Sequence, residues 1–296
     1  MSLTPPFGRV LTAMITPFDS EGAVDYGAVW ELAVHLVETG SDGVVVAGTT
    51  GESPTLSEDE KLSLFRTVVE AVGNRAAVLA GTGSYDTAES VHLTRLACEL
   101  GCSGVMAVTP YYSRPPQQGL FEHFTAIADA STVPVLLYNI PSRTARLIEV
   151  DTLARLAAHE RIVAVKDAVG DLAFTTSTRR ACPDDFAIYS GDDILTLPMM
   201  AVGAVGIVSV AAHLAGDQIA AMVAAAAEGD FAEARRLHLA LTPLFTSLFV
   251  EPNPIPVKAA MDALWRPVGR PRLPLVAAAS DTVDRIKEAL AGARDT

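Results

Sequence analysis

Lysine is scarce in this chain. Only Lys61, Lys166, Lys258 and Lys287 occur among 296 residues, so chemistry that needs a primary amine has few places to happen. Basic side chains as a whole are outnumbered, 22 Lys and Arg against 35 Asp and Glu, and the net charge of −13 opposes nonspecific binding to nucleic-acid phosphates or anionic lipid. Three cysteines, Cys98, Cys102 and Cys182, are odd in number and too sparse for a disulfide framework, which makes a reducing cytoplasm the expected setting. Aromatic residues are few, at 6%, and charged ones make up 19%. Half the residues are nevertheless hydrophobic, which excludes a disordered or low-complexity chain. The first ten residues lack a basic cluster followed by an apolar run and do not read as a signal peptide. The stretch 194–216 has no Asp, Glu, Lys or Arg, but Pro198, Gly203, Gly206 and His213 interrupt it and no basic flank orients it, so no membrane span is expected.

What the chain has in abundance is short apolar runs. They lie at 10–15, 43–47, 77–80, 104–108, 133–138, 162–166, 186–190 and 206–210, rich in Val, Ile, Leu and Ala. Continuous rather than alternating runs fit parallel strands buried on both faces. Each is followed by a helical stretch, with Ser57 and Glu60 forming a capping-box pair and Asp86 and Glu89 repeating the spacing. Gly40 and Gly101 are placed to end helices. Eight such units predict an α/β fold of the (β/α)8 barrel type, the TIM barrel, over residues 1–229. From 230 to 296 only helical stretches follow, at 230–249 and 281–291, and they predict a C-terminal helical appendage. Between them Glu251-Pro252-Asn253-Pro254-Ile255-Pro256 reads as a turn that cannot continue a helix.

Barrel enzymes place their active sites at the C-terminal ends of the strands. The polar residues ending the runs are Gly48-Thr49-Thr50-Gly51-Glu52, Thr109-Pro110-Tyr111-Tyr112, Tyr138-Asn139, Lys166-Asp167 and Ser190-Gly191-Asp192-Asp193. Lys166 is the only lysine that closes a strand-like run. A partly desolvated amine at a barrel rim gives up its proton more readily, as a Schiff-base nucleophile must. The bland alternative is a lysine paired with Asp167 or reaching to solvent. Tyr138 ends the neighbouring strand with a phenol able to give and take protons, although a strand-end tyrosine can equally be a core ring with a wet hydroxyl. Thr49 and Thr50 offer donors for a carboxylate or a proton relay, or simply form a tight turn. Arg143 can hold a second carboxylate bidentately, or sit in a surface ion pair. Gly81-Thr82-Gly83 does not complete a dinucleotide fingerprint and reads as a strand-end turn. No Cys or His group has zinc-ligand spacing, and the six scattered histidines receive no role.

Together, Gly48-Thr49-Thr50-Gly51-Glu52-Ser53, Thr109-Pro110-Tyr111-Tyr112, Tyr138-Asn139-Ile140-Pro141-Ser142-Arg143-Thr144, Val165-Lys166-Asp167-Ala168, Ser190-Gly191-Asp192-Asp193 and the segment Glu251 to Lys258 resemble the dihydrodipicolinate synthase family. The resemblance extends from about Gly8 to the C-terminus and places the chain among pyruvate-dependent class I lyases. It implies that Lys166 forms an imine with pyruvate, that Tyr138 moves protons, and that Thr49 and Tyr112 complete a relay. It implies further that Thr50, with backbone near Gly191 and Val208, holds the pyruvate carboxylate and that Arg143 binds L-aspartate 4-semialdehyde. No metal or other cofactor is implied. Tyr112 would enter a neighbouring subunit's site, implying a homodimer at least and commonly a homotetramer, in lysine and diaminopimelate biosynthesis.

The family's allosteric lysine position corresponds to Ser53, Pro54, Glu58, Lys61, Tyr85, Glu89 and Tyr111. Ser53, Glu89 and Tyr111 match the pattern, whereas Tyr85 replaces an asparagine, and Glu58 and Lys61 stand where inhibited bacterial members often carry histidines. Weak or absent feedback inhibition is expected. Two other functions remain open at this point: a pyruvate-dependent aldolase acting on a 2-keto-3-deoxy sugar acid, and a noncatalytic barrel that binds small carboxylates.

Overall fold

The computed structural model describes residues 4–294. Eight parallel strands close a barrel in chain order: β1 Val10–Ala13, β2 Gly43–Val46, β3 Ala77–Gly81, β4 Gly104–Val108, β5 Val135–Asn139, β6 Ile162–Asp167, β7 Ala187–Ser190 and β8 Gly206–Ser209. They fall on the eight expected runs, with ends shifted by no more than two residues, and helices connect each to the next. The uncharged stretch 194–216 is divided between a short helix, β8 and the start of the helix Ala212–Glu228.

The continuous apolar character of the strands follows from burial on both faces. Leu11, Val45, Leu79, Met106, Leu136 and Val208 meet inside the barrel. Their sequence neighbours Val10, Val44, Val46, Val78, Val105, Val135 and Leu137 join the layer packed beneath the helices. Alternation along a strand therefore carries Leu136 and Tyr138 of β5 to the interior, and Ala164 and Lys166 of β6 with them.

Helix starts follow the expected capping in one case and depart from it in another. Ser57 Oγ accepts from the Glu60 N–H while the Glu60 carboxylate accepts from the Ser57 N–H, a complete capping box. Asp86 caps the N–H groups of Ala88 and Glu89, but Glu89 does not reciprocate, because its carboxylate accepts from Ser84 Oγ at 2.8 Å. After β8 and the helix Ala212–Glu228 come helices Phe231–Ser247, Ile255–Leu264 and Thr282–Arg294, which pack against one another and on Ala212–Glu228. The proline-rich turn is thus shorter than expected. A helix begins inside it, with Pro254 at its N-cap and Pro256 in its first turn, where a missing N–H forfeits no helical hydrogen bond.

The seam between β1 and β8 is bridged by a buried imidazole. His213 Nε2 accepts from the Ile15 N–H at 3.1 Å and Nδ1 donates to the Val210 carbonyl at 2.9 Å, which requires the neutral ring. Burial, with a smaller contribution from nearby His35, lowers its pKa to about 4. Between that value and about 6.5 the unfolded chain holds a proton that the folded chain does not, so stability falls as pH drops through this window and levels off below it. The contribution amounts to at most about 3 kcal/mol. Urea unfolding between pH 7 and pH 4 should therefore show a shallower pH dependence for His213→Gln than for the parent chain. Parallel curves would refute the assignment. Asp193, whose buried carboxyl is pushed up to about 6, acts in the opposite direction in both proteins and cancels in the comparison.

Candidate active site at the C-terminal rim

Cross-strand register sets the centre of the site. Tyr138 of β5 pairs with Lys166 of β6, which pairs with Tyr189 of β7. Lys166 is 5% exposed, and its Nζ lies 4.2 Å from the centroid of the Tyr138 ring. Lys166 has neither an ion pair nor a hydrogen-bond acceptor for its side chain among the described residues, and Asp167 is engaged elsewhere. The Asp167 carboxylate accepts from Thr175 Oγ1 at 2.7 Å and the Val169 N–H at 3.0 Å, and burial raises its pKa. A pairing of Lys166 with its sequence neighbour is thus not what the fold makes.

Above this pair lies a cavity of about 230 Å³ lined by Gly48, Thr49, Met106, Val108, Tyr138, Ile140 and Arg143, among others. Its apolar walls and few polar groups suit a small, partly apolar substrate. Gly81 and Gly83 shape the wall from β3. A Cβ on Gly81 would lie 2.4 Å from the Ala47 carbonyl oxygen, and one on Gly83 would lie 2.3 Å from the Val108 nitrogen. The expected strand-end turn at 81–83 is therefore also a close backbone crossing.

A second cavity, of about 430 Å³, shares Ile140 and Arg143 with the first and adds Gly191, Asp192, Phe245 and Phe249. Arg143 is exposed and has no ion-pair partner among the described residues; its Nη2 donates to the Asn253 carbonyl at 3.4 Å. The short helix Pro141–Thr144 carrying it is anchored by Asn139, whose side chain donates to and accepts from the backbone of Ile148 at 3.0 Å in both directions. On the far side, Asp193 accepts from Ser209 Oγ and from the Val210 and Ala211 N–H groups, tying the end of β7 to the end of β8. Val208 itself is buried in the barrel interior.

The structure thus gathers Thr49, Tyr138, Arg143 and Lys166 about one rim, with Thr50 buried beside them and Gly191 across the mouth. Tyr112 is set apart. It is 92% exposed with φ 66° and does not line the cavity, whereas its neighbour Tyr111 does. Of the positions compared with an allosteric site, Ser53, Pro54 and Tyr111 line the same cavity. Tyr85 stands edge-on to Tyr111 at 5.2 Å between ring centroids. Glu89 is held by Ser84, and Glu58 pairs with His92. No group of three His, Cys, Asp or Glu that could hold a metal ion occurs among the described residues. No described helix is long and apolar enough to cross a membrane.

One functional feature went unseen in the sequence, namely how the Thr49-Thr50 loop is fixed. Glu52 follows that loop in a left-handed conformation, φ 58°, and is buried. Its Oε1 accepts from Lys258 Nζ at 2.7 Å and its Oε2 from the Arg272 N–H at 2.8 Å. Lys258 is fully buried over the Phe18 ring, 3.8 Å from its centroid, and burial lowers its pKa to about 8 against the opposing pull of Glu52. The Glu52–Lys258 separation of 206 residues hides this pair from any local pattern.

Fold and rim together define a (β/α)8 barrel with a buried, unpaired lysine beside a tyrosine in a small cavity. Comparison with known proteins makes the class specific. The profile of the Dihydrodipicolinate synthetase family matches residues 6–293, and the chain belongs to that family. The 4-hydroxy-tetrahydrodipicolinate synthase of Synechococcus elongatus is 55% identical over 97% of this chain and 95% of its own. That of Heliobacterium modesticaldum is 54% identical over 95% and 94%. The crystal structure of dihydrodipicolinate synthase from Cyanidioschyzon merolae with lysine bound superposes with a TM-score of 0.96 at 45% identity, covering 98% of this chain and 99% of that one.

The buried Glu52–Lys258 pair has a direct energetic consequence. Removing one partner leaves the other charge uncompensated in the interior, at a cost of about 3–5 kcal/mol, while removing both is close to neutral. Denaturant unfolding should show Glu52→Gln and Lys258→Met each strongly destabilised and the double variant near the parent. Additive losses in the double variant would contradict the pairing.

Proposed function

We propose that this chain condenses pyruvate with L-aspartate 4-semialdehyde to give 4-hydroxy-tetrahydrodipicolinate, the first committed step toward diaminopimelate and lysine. The observation that carries this reading is Lys166: alone among the four lysines it is buried, unpaired and beside a phenol at the barrel rim. Its amine adds to the pyruvate ketone, and loss of water gives a protonated imine, an electron sink that lets a methyl proton leave. The resulting enamine carbon attacks the aldehyde carbon. The amine of the semialdehyde then adds to the imine carbon, closing the ring and expelling Lys166 as free amine. One water is released for each pair of substrates joined.

Tyr138 is the group we assign to the proton transfers, with Thr49 and a partner's Tyr112 completing its relay. The exposure of Tyr112 supports an assembly in which it is covered by a second copy, at least a homodimer and commonly a tetramer. Thr50 and the backbone at Gly191 and Val208 hold the pyruvate carboxylate. Arg143, unpaired at the junction of the two cavities, receives the carboxylate of the semialdehyde, and this favours the synthase over a sugar-acid aldolase. Three free cysteines agree with a cytoplasmic setting.

Incubation with pyruvate and borohydride, followed by digestion and mass spectrometry, should place a pyruvate-derived increment on Lys166 and none on Lys166→Ala. Arg143→Ala should retain that labelling while losing about 10²-fold in kcat/KM for the semialdehyde. A folded parent chain that is not labelled would end the imine mechanism. Unchanged use of the semialdehyde by Arg143→Ala would point to another aldehyde.

Regulation by lysine is proposed to be weak. The Tyr85 ring, edge-on to Tyr111, and the side chains of Glu58 and Lys61 give this surface a different shape and charge from the pattern of the inhibited enzymes. Lysine titrated into a steady-state assay should leave the rate nearly unchanged at sub-millimolar concentration; strong inhibition there would overturn the assignment.

A further inference from the structure

Thr50 is buried, and its hydroxyl is approached from a part of the chain about two hundred residues away. Asn253 Nδ2 donates to Thr50 Oγ1 at 2.9 Å. A hydroxyl has one hydrogen and two lone pairs. With a lone pair engaged by the amide, the hydrogen is directed away from Asn253, and no acceptor among the described residues takes it. The other end of the Asn253 amide, Oδ1, is buried with no hydrogen-bond partner. The Asn253 backbone carbonyl meanwhile accepts from Arg143 Nη2. The segment is not free to drift, because five residues on Lys258 is locked to Glu52, which closes the same loop as Thr50.

We propose that Asn253 is a positioning residue for the reaction: its amide orients the Thr50 hydroxyl so that the proton is presented to the pyruvate carboxylate. This inference rests on the function proposed above. A buried acceptor without a partner is a stability cost that a purely structural residue at this position would avoid. Asn253 keeps that cost because only a side chain with a donor at this point can fill the Thr50 lone pair. The contact to Arg143 is made by backbone and survives any change of side chain.

Asn253→Leu tests the idea, since leucine keeps the branched outline and removes both donor and orphan acceptor. The variant should melt at or above the temperature of the parent chain. Its half-saturation for pyruvate should rise about 10-fold, the loss expected for one hydrogen bond to a charged group, with kcat and half-saturation for the semialdehyde within about 2-fold. In a Thr50→Val background the same substitution should change pyruvate half-saturation by less than about 2-fold, because the route through Thr50 is already gone. Unchanged pyruvate half-saturation in Asn253→Leu overturns the proposal, as does a full 10-fold effect that persists beside Thr50→Val. Should the leucine variant fail to fold, Asn253→Ala takes its place with the same outcomes. Borohydride trapping on the parent separates the two levels: no pyruvate adduct there removes the proposed function and this inference together. An adduct with an unaffected Asn253 variant removes this inference alone.

Discussion

A carboxylate and an ammonium from opposite ends of the chain meet in the protein's interior, and the geometry of the rim depends on their meeting. Glu52 stands in left-handed backbone and is buried, as is Lys258, so neither has water to solvate its charge. Ala47, at φ 54°, begins the same loop in the same unfavourable region. Residues without glycine's freedom adopt such conformations only where their surroundings over-determine them. Here the ion pair to Lys258 and the hydrogen bond from the Arg272 N–H supply that constraint. Arg272 also forms an ion pair with Glu60, the residue that completes the capping box of the following helix. The loop bearing Thr49 and Thr50 is thus held at its C-terminal end.

The second organising constraint is strand alternation. Two residues per repeat, applied to adjacent strands in register, bring Tyr138 and Lys166 to one face and above the small side chains Ala164 and Ala187 of the barrel interior. An amine that follows a small residue into a closed barrel reaches a place where its neighbours are a phenol ring and apolar walls. No ion pair is needed to put it there, and none is made among the described residues. Asp167, one residue later on the same strand, points to the helical layer and is satisfied by Thr175.

Much of this was legible in the sequence because it is local. Continuous apolar runs located all eight strands, and the residues that end those runs named the rim. The Ser57 capping box was also correct, since it depends only on four consecutive residues. Failures came where a competing partner, a tolerated helix position or a distant residue decides. Asp86 and Glu89 have the right spacing, yet Ser84 captures the glutamate. The prolines after Glu251 read as a break, but two of them sit where a helix tolerates them. Nothing in the local sequence ties Lys258 to Glu52, 206 residues away; their pairing is a tertiary fact.

The clamp on the rim has a consequence for how the protein comes into being. A chain synthesised from its N-terminus completes every barrel strand at Ser209, well before Asn253 and Lys258 are made. At that stage Glu52 has no countercharge and Thr50 no amide beside it, so the pocket loop lacks the contacts that shape it. The last strand closes the barrel, but only a helix added about fifty residues later brings the partners of Glu52 and Thr50, so the loop takes its shape with that helix rather than with the closing of the sheet.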